Sequence, residues 1–450
     1  MNKKLLLVGL FSSLALAGCG ASAKAVSKKV NFKTIVTRDN ERELLSNQVA
    51  EGFSFLKSLD ITLSYTDYCY NSAETKEKSV GTQKQKAEFF SNGYICEGSS
   101  KVERNGSIFE DYSFTNKTAL TNDTMYFVEE DSHSTSPYYS RDVFGSEPGK
   151  TKENRLISDR RDAGWSVVDF EDLFSDYDDT NPMSYERSIV GRISDKKIGA
   201  YYEFKRIYSI NEQGSDSATY TQVESGYQYM EAKLVGDVYQ ISKYEIKQQC
   251  VGNVYRAYDR SRGSYGSDYI KLNKYQILSE DKASFKFEYA ESMSDYEESA
   301  ELKDVITNFP KWYVSGADLT VVVYRPTYDE ETNEITGVSR VSSETLYPLS
   351  YSDDMHSFSC ALTNADPNYL YQFEIWAMVT FYGGEEGDYS SYFFNDTVDL
   401  ANGSSYVKVV DEENYYKGEF GKLYNFSVKI AFDAEAEEGE EVSVAEFKLA

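Results

Sequence analysis

The chain has 450 residues, with 47 Lys and Arg against 74 Asp and Glu, a formal net charge of −27 and only two histidines. So acidic a surface excludes a nucleic-acid binder, because phosphate recognition rests on Lys and Arg. Tyr (39 residues) and Phe (25) outweigh Pro (7), which favours strands and a core large enough for two or three domains.

Lys3 and Lys4 precede an apolar run of 13 residues, Leu5 to Ala17, and small residues lead into Cys19. This is the layout of an export signal, and it is shorter than the roughly 20 apolar residues a transmembrane helix needs. Leu16-Ala17-Gly18-Cys19 resembles the bacterial lipobox. The resemblance implies that residues 1–18 are a signal peptide cut between Gly18 and Cys19, and that Cys19 takes a diacylglyceryl group. The mature chain would then be lipid-anchored on the extracytoplasmic face of a cell membrane or envelope, held stably by two acyl chains where one alone is marginal. Without Lys3 and Lys4 the charge becomes −29. Residues 19–36 are small, polar and Lys-containing, and read as a flexible tether.

From residue 37 to 310 the pattern is that of an α+β domain, an antiparallel sheet with a few packed helices. Asn40 and Glu43 have capping-box spacing, and Leu45, Val49, Phe53, Leu56 and Leu59 give a helix of about five turns. Ile61, Leu63 and Tyr65 then alternate with polar residues as in a half-buried strand. A stretch rich in Lys, Thr and Gln reads as a loop before the strand holding Tyr94 and Cys96. Asn105-Gly106 predicts a type I′ hairpin turn, strands continue through Tyr126 to Val128, and residues near 131–160 read as loop. A second helix is expected over Asp162 to Tyr177. Strands follow at Tyr202–Ile210, Tyr227–Leu234, Val238–Ile246, Tyr269–Leu278 and Ser284–Tyr289, with Gly236-Asp237 as a tight turn. A third helix is expected to open at Ser294 and to stop at Pro310.

Residues 311–450 read as strands throughout, an acidic, all-β sandwich-like domain. From Lys311 onward there are 26 acidic residues against 8 basic ones. Phe426, Val428, Ile430 and Phe432 alternate with polar or small residues, and the run Asp433 to Glu441 belongs in solvent, since it lacks the oxygen spacing of a calcium loop. Ala365-Asp-Pro367-Asn-Tyr369-Leu-Tyr371-Gln-Phe373-Glu-Ile375-Trp-Ala377 resembles the E-to-F corner and F strand of fibronectin type III domains over 13 residues. Ala365 and Tyr369 depart from the leucine and threonine of that pattern. The resemblance implies that Tyr371 bonds back to the backbone at the corner.

Beyond Cys19 the cysteines Cys69, Cys96, Cys250 and Cys360 lack metal or redox spacing. Cys69 and Cys96, in adjacent expected strands, are the candidate disulfide, with buried free thiols as the alternative. His133 and His356 stand without a nucleophile motif, and no phosphate-binding glycine loop is present. A pair of carboxylates acting on a glycoside needs no motif and stays open. The acidic stretch Glu171 to Asn181 lacks the glycine and terminal glutamate of an EF-hand. No metal or other cofactor is expected. Tyr255, Arg256, Tyr258, Arg260, Arg262 and Tyr265 form an Arg and aromatic cluster suited to a sugar or carboxylate ligand. These features read as a non-enzymatic binding module for a glycan, peptide or protein. The alternative is a lipid or glycolipid carrier with an apolar cavity in the first domain.

Overall fold

The computed structural model describes residues 30–70, 73, 75–144, 149, 151–177, 184–211, 219–259, 264–383, 389–401, 406–408 and 414–450, with backbone alone at 209–211, 219–220, 255–259, 264–270 and 406–408. The chain is mainly β, built on large antiparallel sheets. It divides into two compact units, one holding residues up to Asn122 together with 147–303, the other 123–146 together with 304–450.

Up to the end of the first unit the elements are β1 (Thr34–Ile35), α1 (Asp39–Gly52), β2 (Leu56–Tyr70), β3 (Lys76–Phe90), β4 (Gly93–Arg104), β5 (Ser107–Leu120), β6 (Thr124–Asp131), β7 (Tyr138–Val143), α2 (Lys152–Trp165), α3 (Phe170–Phe174), β8 (Tyr185–Ser194), β9 (Lys197–Asn211), β10 (Thr219–Val235), β11 (Val238–Asp259), β12 (Ser264–Tyr289) and α4 (Ala300–Thr307). In the first unit the strands run β1-β8-β9-β10-β11-β12-β2-β3-β4-β5, with β12 pairing back onto β2. Asn105 (φ 50°) and Gly106 (φ 83°) make the β4–β5 turn, where two successive positive φ values suit Asn-Gly. Gly236 (φ 59°) opens the turn between β10 and β11. One core joins α1 (Leu45, Val49), Phe53, α2 (Ala163) and α3 (Leu173) to Ile61, Ala87, Ala200, Met230 and Tyr244 of the sheet. The helices therefore cover part of a single sheet face.

Three local expectations are corrected. The first helix stops at Gly52, a single 3-10 turn covers Phe53–Phe55, and Leu56 already belongs to β2. A Cβ on Gly52 would stand 2.1 Å from the Tyr239 carbonyl oxygen, so the helix end backs directly onto β11. The second helix is two, α2 and α3, each capped by a side-chain oxygen, Thr151 accepting from Asn154 N and Asp169 from Asp172 N. Its start was hidden because α2 buries Asp159 and Arg160, which break the apolar period. The Ser294 opening is replaced by a capping box at Ser292 and Asp295 on a 3-10 turn, and α4 begins only at Ala300.

The second unit adds β13 (Trp312–Tyr328), β14 (Ile335–Leu346), β15 (Ser350–Tyr351), β16 (Ser357–Leu362), β17 (Leu370–Phe381), β18 (Ser390–Thr397), β19 (Tyr406–Lys408), β20 (Asn414–Lys417), β21 (Tyr424–Phe432) and β22 (Val442–Leu449). One sheet runs β14-β13-β17-β20-β19 with β18 also on β17, and the other runs β15-β16-β21-β22. Leu319, Val321, Phe373 and Ile375 of the first sheet share a core with Phe358, Cys360, Phe426, Val428 and Phe447 of the second. The boundary expected at residue 310 is not one cut, because the β6–β7 hairpin also belongs to this unit. Tyr382 Oη donates to the Tyr139 carbonyl at 2.8 Å, Arg141 Nη1 donates to the Tyr382 carbonyl at 2.9 Å, and the Tyr139 ring meets Tyr313 at 5.0 Å. Among the described residues near 131–160, β7 and the start of α2 replace the expected loop.

Candidate functional site

Register turns the inner face of the first unit's sheet into rows of facing side chains. The row under the helices reads Ala200, Met230, Tyr244, Phe285 and Ile61, apolar apart from the tyrosine hydroxyl, and then continues as Gln85, Gly98 and Phe114 on β3, β4 and β5. The next row inward carries Leu59, Ala87, Cys96 and Asn116. The next row outward ends in Leu63, Gln83, Ser100 and Tyr112. Amides therefore stand on β3 and β5 at levels where the other strands present apolar groups.

Gln85 and Asn116 are 5% and 6% exposed, yet Gln83 Oε1, Gln85 Oε1, Ser100 Oγ and Asn116 Oδ1 have no hydrogen-bond partner among the described residues. Only the Gln85 amide nitrogen is engaged, donating to Cys96 Sγ at 3.1 Å. Burying such a group unpaired costs about 1–3 kcal/mol, and native structures meet it with water or a ligand. Two rings stand over glycines on the same face. The Tyr65 ring covers Gly81 and the Phe114 ring covers Gly98, where a Cβ would stand 1.9 Å and 2.2 Å from the respective ring atoms. Exposure rises outward along the face, from buried Gln85 and Asn116 to half-buried Gln83, Ser100, Tyr65 and Tyr112. Aromatic rings flanked by acceptors are the chemistry of a site for a ligand that brings hydroxyl or N–H donors and an apolar face.

The same face is charged on its other strands. Arg206 donates through Nε to Glu186 Oε1 at 2.7 Å and through Nη2 to Tyr202 Oη at 3.1 Å. Glu224 Oε2 lies 4.0 Å from its Nη1. Burial pushes the Glu224 carboxyl up, against the pull of Arg206. Gln248 donates to Asp281 at 2.9 Å, and burial followed by the charge of Asp281 raises Asp67 to about 6. Gln228 donates to Asp172 at 3.0 Å and accepts from Tyr244 Oη at 2.8 Å. Burial, then Asp169, raises Asp172 to about 7.

Gly18 and Cys19 lie outside the described residues. So do Arg260 and Arg262, together with the side chains of Tyr255, Arg256, Tyr258 and Tyr265; the backbone of β11 and β12 places Tyr258 opposite Tyr265. The Cys69–Cys96 disulfide is corrected. Cys69 faces Glu77 and Cys96 faces Ala87 on opposite sides of β3, a separation of about 33 Å along the strand, whereas a disulfide needs Cα atoms within about 7 Å. Tyr371 Oη accepts from Asp366 N at 2.7 Å and donates to Asp366 O at 3.1 Å. Of Glu171 to Asn181, residues 178–181 fall outside the described residues, and the run Asp433 to Glu441 forms the mostly exposed turn between β21 and β22. His356 stacks on Trp312 at 3.6 Å, and His133 donates its backbone N–H to Asp131 Oδ1 at 2.8 Å.

Gln83 and Gln85 lie on β3, in the stretch whose Lys, Thr and Gln content predicts a loop. The available signal was the alternation Gln83-Lys84-Gln85-Lys86-Ala87-Glu88-Phe89, which puts both glutamines on the face of Ala87 and Phe89.

No protein-family model matches the chain. No curated protein matches it. Among solved structures, Pseudomonas aeruginosa OpdL aligns over 83% of this chain and 98% of its own, at 8% identity and a TM-score of 0.14. The LG1-3 region of the laminin alpha2 chain aligns over 87% of this chain and 91% of its own, at 7% identity and a TM-score of 0.09. Similarities this low carry no argument about fold or function.

Proposed function

We propose that the chain is a lipid-anchored extracytoplasmic surface protein acting as a non-enzymatic binding module, and that its first unit takes a hydroxyl-rich ligand, a glycan, on the inner face of β2–β5. The membrane is reached through Cys19. The observation that carries the ligand reading is the set of acceptors with no partner among the described residues, Gln83, Gln85, Ser100 and Asn116, beside the rings of Tyr65 and Phe114. In this reading the first unit is an α+β domain and the second an all-β, sandwich-like one. The core common to the second unit's two sheets and the Tyr371 hydroxyl bonds to Asp366 support the latter. A lipid or glycolipid carrier would need an empty apolar chamber. The apolar rows of the first unit are instead packed against Leu45, Val49, Phe53 and Leu173, which favours the polar ligand.

The test is a glycan array probed with the mature chain, followed by calorimetry on the best saccharide with wild type and Gln85→Met. Loss of one neutral hydrogen bond should weaken binding about tenfold. Equal affinity in both proteins, or no saccharide bound at all, would contradict the proposal. Hydrolysis of the saccharide would replace the binding module with an enzyme.

A further inference from the structure

A cleft of about 590 Å³ in the first unit is lined by Asn122, Lys152, Leu156, Arg160, Met293 and Tyr296, within the roughly 300–1,000 Å³ typical of small-molecule sites. It lies at the N-terminus of the 14-residue helix α2, whose first backbone N–H groups have no helical partner and carry the positive end of the dipole. Arg160 is the independent second feature. It is 2% exposed, and its Nε has no partner among the described residues. Of its five N–H donors, Nη1 reaches only Met293 Sδ at 3.5 Å and Nη2 only the Phe90 carbonyl at 3.4 Å. The guanidinium carbon sits 3.6 Å from the Tyr296 ring centroid, which steadies the charge without occupying a donor. The neighbouring carboxylate, Asp159, lies 3.2 Å from Arg155 and its charge also acts on Arg160, but it accepts no hydrogen bond from that guanidinium. Buried charges are ordinarily paired and hydrogen-bonded, so a guanidinium with donors to spare, lining a cleft in an acidic chain, asks for an anion.

We propose that this cleft binds a small organic anion, its carboxylate or phosphate head on Arg160, its apolar body on Leu156, Met293 and Tyr296. Lys152 adds a second cation, and the exposed Glu153 at the rim opposes the ligand. The site is separate from the inner sheet face and stands whether or not a glycan binds there.

Calorimetry on the full mature chain in detergent tests it with benzoate, phenyl phosphate and the neutral benzyl alcohol. One of the anions should bind with one-to-one stoichiometry and the alcohol should not, and whichever anion is preferred identifies the head group. Arg160→Gln should weaken binding at least about tenfold, as expected for a charge-assisted contact. Should that variant fail to fold, two rim variants decide instead: Lys152→Ala should weaken binding and Glu153→Gln should strengthen it, each by about threefold. Alcohol binding as tight as the anions, no anion bound at millimolar concentration, a folded Arg160→Gln of wild-type affinity, or two unresponsive rim variants would each overturn the proposal.

Discussion

The Phe114 ring lies across Gly98 on the neighbouring strand, where an added Cβ would stand 2.2 Å from Phe114 Cε1. The glycine therefore makes room for the ring, a close approach that any side chain would prevent. Gly98→Ala should lift the ring and cost about 1–3 kcal/mol through overpacking, read as a lower denaturation midpoint together with weaker saccharide binding. Unchanged stability would show that the ring moves freely and does not form a fixed platform.

Acceptors buried for a ligand should be a burden to the free protein. Asn116→Leu removes an unpaired amide of similar volume and should stabilise the ligand-free chain by about 1 kcal/mol, because the desolvation cost disappears. Chemical denaturation checks the sign. Destabilisation would mean that ordered water already satisfies Asn116 Oδ1.

Stability should also fall between mildly acidic and neutral pH. Burial raises Asp172 to about 7 and Asp67 to about 6, while in the unfolded chain both return to about 4. Across that window the folded state holds more protons, so the stability these carboxyls contribute is complete below about pH 4 and is lost as pH rises through about 6 to 7. Melting curves between those limits should show a higher midpoint on the acid side, and Asp172→Asn should shrink the difference. A slope of the opposite sign, or one untouched by the substitution, would contradict these shifts.

In the second unit, Tyr371→Phe deletes both hydroxyl bonds to Asp366 and leaves the Asp366 N–H unpaired. A loss of about 1–3 kcal/mol follows, measurable by denaturant titration. A neutral result would reduce the corner to packing alone.

Cys69 and Cys96 should never appear in one linked peptide in a non-reducing digest. Burial pushes the Cys96 thiol up to about 11, so it should react with alkylating reagents only once the unit unfolds. A crosslinked pair would require β3 to be absent from its place between them.

How much of this was legible in the sequence follows from how local each signal is. Asn105-Gly106 and the alternation Phe426, Val428, Ile430 carry their geometry in adjacent residues, and β4–β5 and β21 form where those patterns lie. Strand β3 escaped because Gln and Lys dilute the apolar alternation, and the glutamines that hid it are the candidate ligand contacts. Helix α2 escaped for the same kind of reason, since Asp159 and Arg160 occupy its buried side. The β6–β7 hairpin joins the second unit through Tyr139 against Tyr313 and Tyr382, contacts more than a hundred positions away that no short window contains. Polar residues at core positions defeat pattern reading, and such residues mark both proposed sites.

The most direct measurement is a high-resolution crystal structure of the mature chain with its preferred saccharide from the array. Sugar hydroxyls within hydrogen-bond distance of Gln85 Oε1 and Asn116 Oδ1, with a sugar face on Phe114 or Tyr65, are the predicted result. Ordered waters on both oxygens with the saccharide bound elsewhere would contradict it.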